Sequence, residues 1–148
     1  MLKVTVDDHA VTAHLTALPE QIQSRLITTM YVLVEKLRSH IVEDKLLGQV
    51  LNRVTGALGQ SIQQRVEING HAITGIVYSA GNLAYAPIHE YGLTVQRYMT
   101  EAWGKPVKNP RDITVHYPER SFMRSSLADL KDEITSQISL AVGEGLKP

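Results

Sequence analysis

The period of the hydrophobic positions changes as the chain is followed from its start. Leu2, Val4 and Val6 alternate with polar neighbours, which predicts a short opening strand or an ordered arm. From Pro19 the period becomes helical. Ile22, Leu26, Met30, Leu33, Leu37 and Ile41 recur at steps of three and four, so one stripe of a long helix carries all six. Pro19 suits the first turn and Glu20 the positive end of the helix dipole. The helix is expected to continue through Leu46, with Gly48 as its break or cap.

Beyond Thr55-Gly56 the pattern turns to β-branched residues, with Val66, Ile68, Ile73, Ile76 and Val77 grouped around Asn69-Gly70. Asn-Gly is a strong signal for a tight hairpin, so two antiparallel strands should meet there. Leu93 to Pro118 is rich in Gly, Pro, Asn and Lys, and Gly104-Lys-Pro106 and Asn109-Pro110 act as breakers. This stretch reads as a long loop with at most one strand, at Ile113 to Val115, of the kind that is functional or becomes ordered on assembly. Near Ser121 the helical period returns through Met123, Leu127, Leu130, Ile134, Ile138 and Ala141, and Gly143 and Gly145 are expected to end it. Two amphipathic helices and a hairpin predict an α+β domain over residues 1–148. A small antiparallel sheet is packed by a long N-terminal helix and a C-terminal helix, with a long loop between.

Composition narrows the function classes. The chain has 148 residues and 43% hydrophobic content, enough for one core without disulfide or metal, and it contains no cysteine. Absent cysteine and a start that lacks a signal-peptide pattern fit assembly in a reducing cytoplasm. The longest apolar runs, such as Tyr31 to Val34, fall far short of the roughly 20 residues of a membrane span, so a soluble protein is expected. Fifteen basic and fifteen acidic residues cancel, which disfavours a dedicated nucleic-acid binder. Locally the balance is uneven. Arg97, Lys105, Lys108, Arg111, Arg120 and Arg124 face only Glu101, Asp112 and Glu119 within one stretch, and the segment after it carries Asp129, Asp132, Glu133 and Glu144. Such asymmetry either aligns one subunit with the next or is simply a mixed solvated surface.

Signals for catalysis are weak. His89-Glu90 begins a zinc-protease pattern, but the second histidine it needs at position 93 is Leu, and Gly92 interrupts a helix there. His9, His14, His40, His71 and His116 show no ligand spacing. No Ser lies in a Gly-x-Ser-x-Gly elbow, and Thr55-Gly-Ala-Leu-Gly59 lacks the ending of a phosphate loop. The adjacent carboxylates Glu43-Asp44 and Asp132-Glu133 sit on predicted helices, where neighbours in sequence do not share a face. No enzyme, metal or cofactor is expected.

Three segments stand out as a set. They are Thr55-Gly56-Ala-Leu58-Gly-Gln-Ser61-Ile62, then Tyr85-Ala86-Pro-Ile-His89-Glu90-Tyr91-Gly92, and Pro118-Glu-Arg120-Ser-Phe122-Met-Arg124. In order, spacing and wording they resemble the tail-completion, neck or virion-morphogenesis proteins of tailed bacteriophages, a family of minor tail components. The resemblance runs from about Gly48 to Ile134, and Ser121 stands where many members carry Pro. It implies a structural virion protein, assembled in the bacterial host cytoplasm, that completes the tail and joins it to the head. Its implied partners are a tail terminator, a head connector and copies of itself, in a ring expected to be six-fold.

The residues themselves read first as architecture. Gly56 and Gly92 permit turns closed to other residues, Tyr85 and Phe122 anchor an aromatic-poor core, and Arg120 is placed to pair with Glu90. Arg97, Lys105, Lys108, Arg111 and Arg124 are the interface candidates, toward a neighbouring subunit, the connector or DNA in the lumen. Two alternatives remain at this point: a nucleic-acid-binding module that uses residues 97–124, and a small metal-dependent hydrolase built on His89 and Glu90.

Overall fold

A computed structural model describes residues 2–6, 10–15, 20–49, 56–102 and 104–145. The first helical stripe forms α1, Glu20–Ser39, in which Ile22, Leu26, Met30, Leu33 and Leu37 are buried together with Val34. The helix does not stop at Gly48. It continues as a π-helical segment, His40–Gln49. Bonding from i to i+5 brings residues five apart toward one side, and Ile41 and Leu46, five apart, are both buried. That change of period carries the backbone through Gly48 without a break.

The sheet has four strands in the order β1-β2-β4-β3, all antiparallel: β1 Leu2–Val6, β2 Ala10–Leu15, β3 Ile62–Asn69 and β4 Ala72–Ser79. The opening strand and the central hairpin appear where the sequence predicts them. β2 has no counterpart in the sequence reading; it pairs with both β1 and β4, extending the hairpin into a sheet. Asn69 pairs with Ala72, so the two-residue turn is Gly70-His71, one position later than the Asn-Gly signal, with Gly70 at φ +59°.

α1 lies across β3 and β4, and one glycine sets how closely. A Cβ on Gly75 of β4 would stand 2.4 Å from Val34 Cγ1 and 2.7 Å from Met30 Sδ, so the helix reaches the strand only because that position has no side chain. On the other side of α1 runs α4, Met123–Gly145, burying Leu127, Ile134, Ile138 and Ala141. The order is therefore sheet, α1, α4. Lys36 pairs with Glu133 and Arg25 with Glu144 along the α1–α4 seam, and Lys45 and His40 of the π-helical segment both reach Asp129. Gly143 lies inside α4, which runs on to end at Gly145.

The largest departure from the sequence reading is Leu93 to Tyr117. The strand expected at Ile113 to Val115 falls within β6, but in place of a long loop there is a two-stranded antiparallel ribbon, β5 Leu93–Ala102 and β6 Lys105–Tyr117, reversing at a turn that contains Gly104 at φ +72°. The register slips between Met99 and Glu101, and Lys108, Asn109 and Pro110 fall in that irregular stretch. Prolines are tolerated there because a two-stranded ribbon has only edge strands, where a missing N–H interrupts no inner ladder. None of its described residues is buried, so the apolar alternation that marks a core strand is diluted by exposed polar positions.

Candidate functional site: a joint built on a buried carboxylate

Two short helices carry the first two signature segments. α2, Ala57–Ser61, starts from Gly56 in the left-handed region (φ +73°) and buries Leu58. Ser61 Oγ donates to the Leu58 carbonyl at 2.7 Å and lies 2.8 Å from Ser79 Oγ, while the N–H of Ala80 donates to the Ser61 carbonyl. Arg38 Nε of α1 donates to the carbonyl of Ile62, itself fully buried. The first segment thus fastens the start of β3 to the end of β4. Thr55 lies outside the described residues.

α3, Tyr85–Tyr91, carries the second segment and presents Glu90 inward. Glu90 is 3% exposed and is a buried acid at the start of another helix. Its carboxylate accepts the N–H of Phe122 and of Met123 on Oε2 and the N–H of Arg124 on Oε1, each at 2.9 Å, together with the hydroxyl of Ser121 at 2.9 Å. The next N–H, of Ser125, goes to Ser121 Oγ, and Ser126 makes the first intrahelical bond, to the Phe122 carbonyl. The unpaired donors at the head of α4 are therefore all supplied, three of them by a side chain 32 to 34 residues earlier in the chain. A negative charge there also meets the positive end of the α4 dipole.

The cation of this network is Arg124, not Arg120. Arg124 Nε donates to Glu90 Oε1 at 3.1 Å, and its Nη2 donates to the Glu90 carbonyl and to Glu119 Oε1; the guanidinium also stacks 4.7 Å from the Tyr91 ring. Arg120 is exposed and contributes its backbone N–H, which donates to the His89 carbonyl at 2.7 Å. The reason is helical geometry: position 124 lies in the first turn of α4 with its side chain directed back toward the N-terminus, whereas position 120 precedes the helix. Arg124, grouped with the ribbon cations as an interface candidate, is thus committed to the joint.

Burial alone would raise the Glu90 pKa, but the N–H groups of Met123, Arg124 and Phe122 and the Ser121 hydroxyl outweigh it and hold the carboxyl below the ordinary glutamate range. His89, half-buried beside it, is pushed down by burial and by the charge of Arg120, which favours the neutral ring. Tyr85 meets His89 edge-on with centroids 6.1 Å apart, yet Tyr85 is 39% exposed and does not anchor the core. Phe122 does: it is 1% exposed and, with Ala86, Leu83 and Met123, backs a shallow apolar cleft of about 170 Å³ that also touches Ser79 and Glu90. Among the described residues no group of three or more His, Asp or Glu side chains is placed to hold a metal ion.

Gly92 closes α3 at φ +69°, ψ 168°, a region effectively reserved for glycine. A Cβ there would stand 3.0 Å from the Tyr117 carbonyl oxygen and 3.0 Å from the Glu119 nitrogen. Both strands of the ribbon leave the domain through this crossing. Pro118 lies next to it, exposed. The structure therefore brings the second and third signature segments into direct contact, sets the first beside them through Ser79, and leaves Arg97, Lys105, Lys108 and Arg111 out on the ribbon. Gly75 was not singled out from sequence; Ser121 was expected at the start of the last helix and Glu119 among the acids of the basic stretch, neither as a partner in this joint. The signals were present: a lone glycine within a β-branched strand, and a serine three residues before an arginine at a helix start.

Comparison with family models, curated proteins and solved structures finds no match.

Proposed function

We propose that this protein is a structural component of a tailed-phage virion that completes the tail and joins it to the head, working as a ring of identical copies. The observation that carries the reading is the Glu90 joint. Two of the three segments that resemble the tail-completion family are clamped together by one buried carboxylate, so that part of the resemblance falls on residues bound by one physical purpose. A rigid joint with a ribbon projecting from it suits a protein that matches surfaces. Among the described residues no helix is long and apolar enough to cross a membrane.

The test is genetic. Deleting the gene from the phage or prophage that encodes it should yield filled heads and complete tails that remain separate, with loss of infectious particles. Addition of purified protein to that lysate should restore joining. Normal infectivity of the deletion strain, or particles that lack this chain and still join, would overturn the reading.

A further inference from the structure

We propose that the β5–β6 ribbon is an assembly arm whose apolar face lies along the outer surface of α1 and α4 of a second copy of this chain; the identity of that partner rests on the ring reading above. The cross-strand register assigns the faces. Opposite pairs Leu93–Tyr117, Val95–Val115, Arg97–Ile113 and Met99–Arg111 share one side, and the residues between them the other. Val95, Met99, Ile113 and Val115 are half-buried while Thr94, Gln96, Tyr98, Asp112, Thr114 and His116 are exposed, so the first side is apolar and the second polar. The polar side is closed by its own bond, Thr94 Oγ1 to His116 Nδ1 at 2.8 Å. The apolar side has no comparable partner: β5 and β6 pack chiefly on each other. An isolated two-stranded ribbon is marginal in water, and it gains stability when its apolar face is covered.

Charge selects a copy of the same chain as the cover. Among the described residues Arg97, Lys105, Lys108 and Arg111 make no ion pair, and two of them, Arg97 and Arg111, stand on the apolar face itself. Counting Glu101 and Asp112 against these four, the ribbon carries four minus two, or +2. α4 carries Arg124 and Lys131 against Asp129, Asp132, Glu133 and Glu144, two minus four, or −2. Asp132 is the one acid of the four without an ion pair among the described residues. The same two helices expose Leu140 on α4 and Val32 on α1, 54% and 62% exposed. α1 carries Arg25, Lys36 and Arg38 against Glu20 and Glu35, three minus two, or +1, so the two helices together carry −1 and α4 is the anionic part of the surface that meets the cationic apolar face. Lengths agree as well: ten ribbon residues extend about 33 Å and a 23-residue helix about 35 Å.

Area sets how strong the contact is. One face of such a ribbon, about 33 Å by 10 Å, covers roughly 330 Å², well below the 800 Å² or so that each partner buries in a stable pair. In the ring reading each copy gives its ribbon to one neighbour and receives that of the other, and a contact of this size gathers strength only as copies close the ring.

The absence of cysteine from the chain makes the test direct. Ile113→Cys in one full-length chain and Leu140→Cys in another are mixed under mild oxidation, with Val115→Cys replacing the first if its melting curve departs from the parent. An inter-chain disulfide in the mixture, in large excess over either variant alone, is the expected result. Adding Arg97→Glu and Arg111→Glu to the ribbon chain should abolish it, and Asp132→Lys in the partner should restore it. Cross-linking of Ile113→Cys with itself, no cross-link in the mixture, or indifference to charge reversal would each overturn the proposal. So would salt-sensitive retention of the uncross-linked chain on DNA, which assigns the ribbon to nucleic acid. The outcome is independent of the genetic test: head-to-tail cross-linking with a dispensable gene leaves the arm and removes the virion role, and joining without cross-linking does the reverse.

Discussion

At Gly92 two kinds of structure meet. On one side, Glu90 is enclosed by three backbone N–H groups, a serine hydroxyl and an arginine, and Phe122 is packed beneath. On the other side, the two strands of the ribbon pair only with each other and leave every described side chain at least partly open to water. A fully bonded buried charge permits one arrangement of α3 and α4, since any slip leaves donors or the carboxylate unpaired in a poorly solvated place. The ribbon's side chains impose no such demand, and their preferred neighbours can belong to another molecule. The contrast predicts where substitutions act: stability at the joint, association at the ribbon.

The largest effect should come from Glu90→Ala, which strands three helix-end donors and leaves Arg124 with Glu119 as its remaining carboxylate. Leaving one buried donor unpaired costs about 1 to 3 kcal/mol, and three are left here. Phe122→Ala should cost a similar amount, about 3 to 5 kcal/mol, as a buried aromatic lost from the same corner. Thermal or denaturant unfolding reads both; a near-parental melting curve for Glu90→Ala would remove the joint from its central place. Next comes Gly75→Ala. Its new methyl meets Val34 and Met30 at distances no Cβ tolerates, and overpacking of this kind costs typically 1 to 3 kcal/mol. Should Gly75→Ala melt like the parent, α1 is not held against β4 as closely as described.

Acid should separate the two regions by a smaller margin. Glu90 has its folded pKa below the unfolded glutamate value of about 4.3, so its contribution is complete above that value and is lost as pH falls through the lower, folded one. His89 is also depressed, and has the same sign: unfolded chains take up its proton near pH 6.5 before folded ones do, so stability declines below about that pH. Asp129, held low by Lys45 and then His40, adds to the loss at the acid end. Unfolding measured from pH 7 to 3 should therefore show a shallow fall from His89, then a steeper one. Glu90→Gln should lower stability at pH 7 and flatten the steep part. An unchanged acid profile in Glu90→Gln would assign that limb to other carboxylates.

What was legible in the sequence follows the same division. The α1 and α4 stripes and the central hairpin could be read because each buries one face, and burial imposes period. The ribbon could not, since Val95, Met99, Ile113 and Val115 alternate with polar residues inside a stretch punctuated by Pro106 and Pro110, and no core enforces the pattern. β2 escaped notice because Val11, Ala13 and Leu15 alternate too briefly beside His9 and His14. The signature segments drew attention as a group, but their wiring did not follow. Sequence distance favours Arg120 as the partner of Glu90, and only the turn of α4 brings Arg124 into place instead. Tyr85 was misjudged for a related reason: an aromatic on a short helix packs according to the helix face, and α3 turns Ala86 and Glu90 inward.

The smallest effect on folding is expected where the proposed role is greatest. Tyr98 is 65% exposed on the polar face of the ribbon, and Ile113 is half-buried on the apolar face among Val95, Arg97 and Val115. Surface substitutions away from caps, cores and paired charges usually stay within about 0.5 kcal/mol, so Tyr98→Ala should leave the melting curve of the isolated chain nearly unmoved. Ile113→Ser should do little more, because its side chain covers only ribbon neighbours in the single subunit. Their effects on association should differ. Tyr98 faces away from the surface assigned to the second copy, whereas Ile113 lies at its centre, so Ile113→Ser should reduce self-association at high protein concentration while Tyr98→Ala leaves it intact. Sedimentation of the two variants against the parent makes the comparison. Equal loss in both would mean that the ribbon is used on both faces, and a large drop in melting temperature for Ile113→Ser would mean that the apolar face is already covered within the subunit.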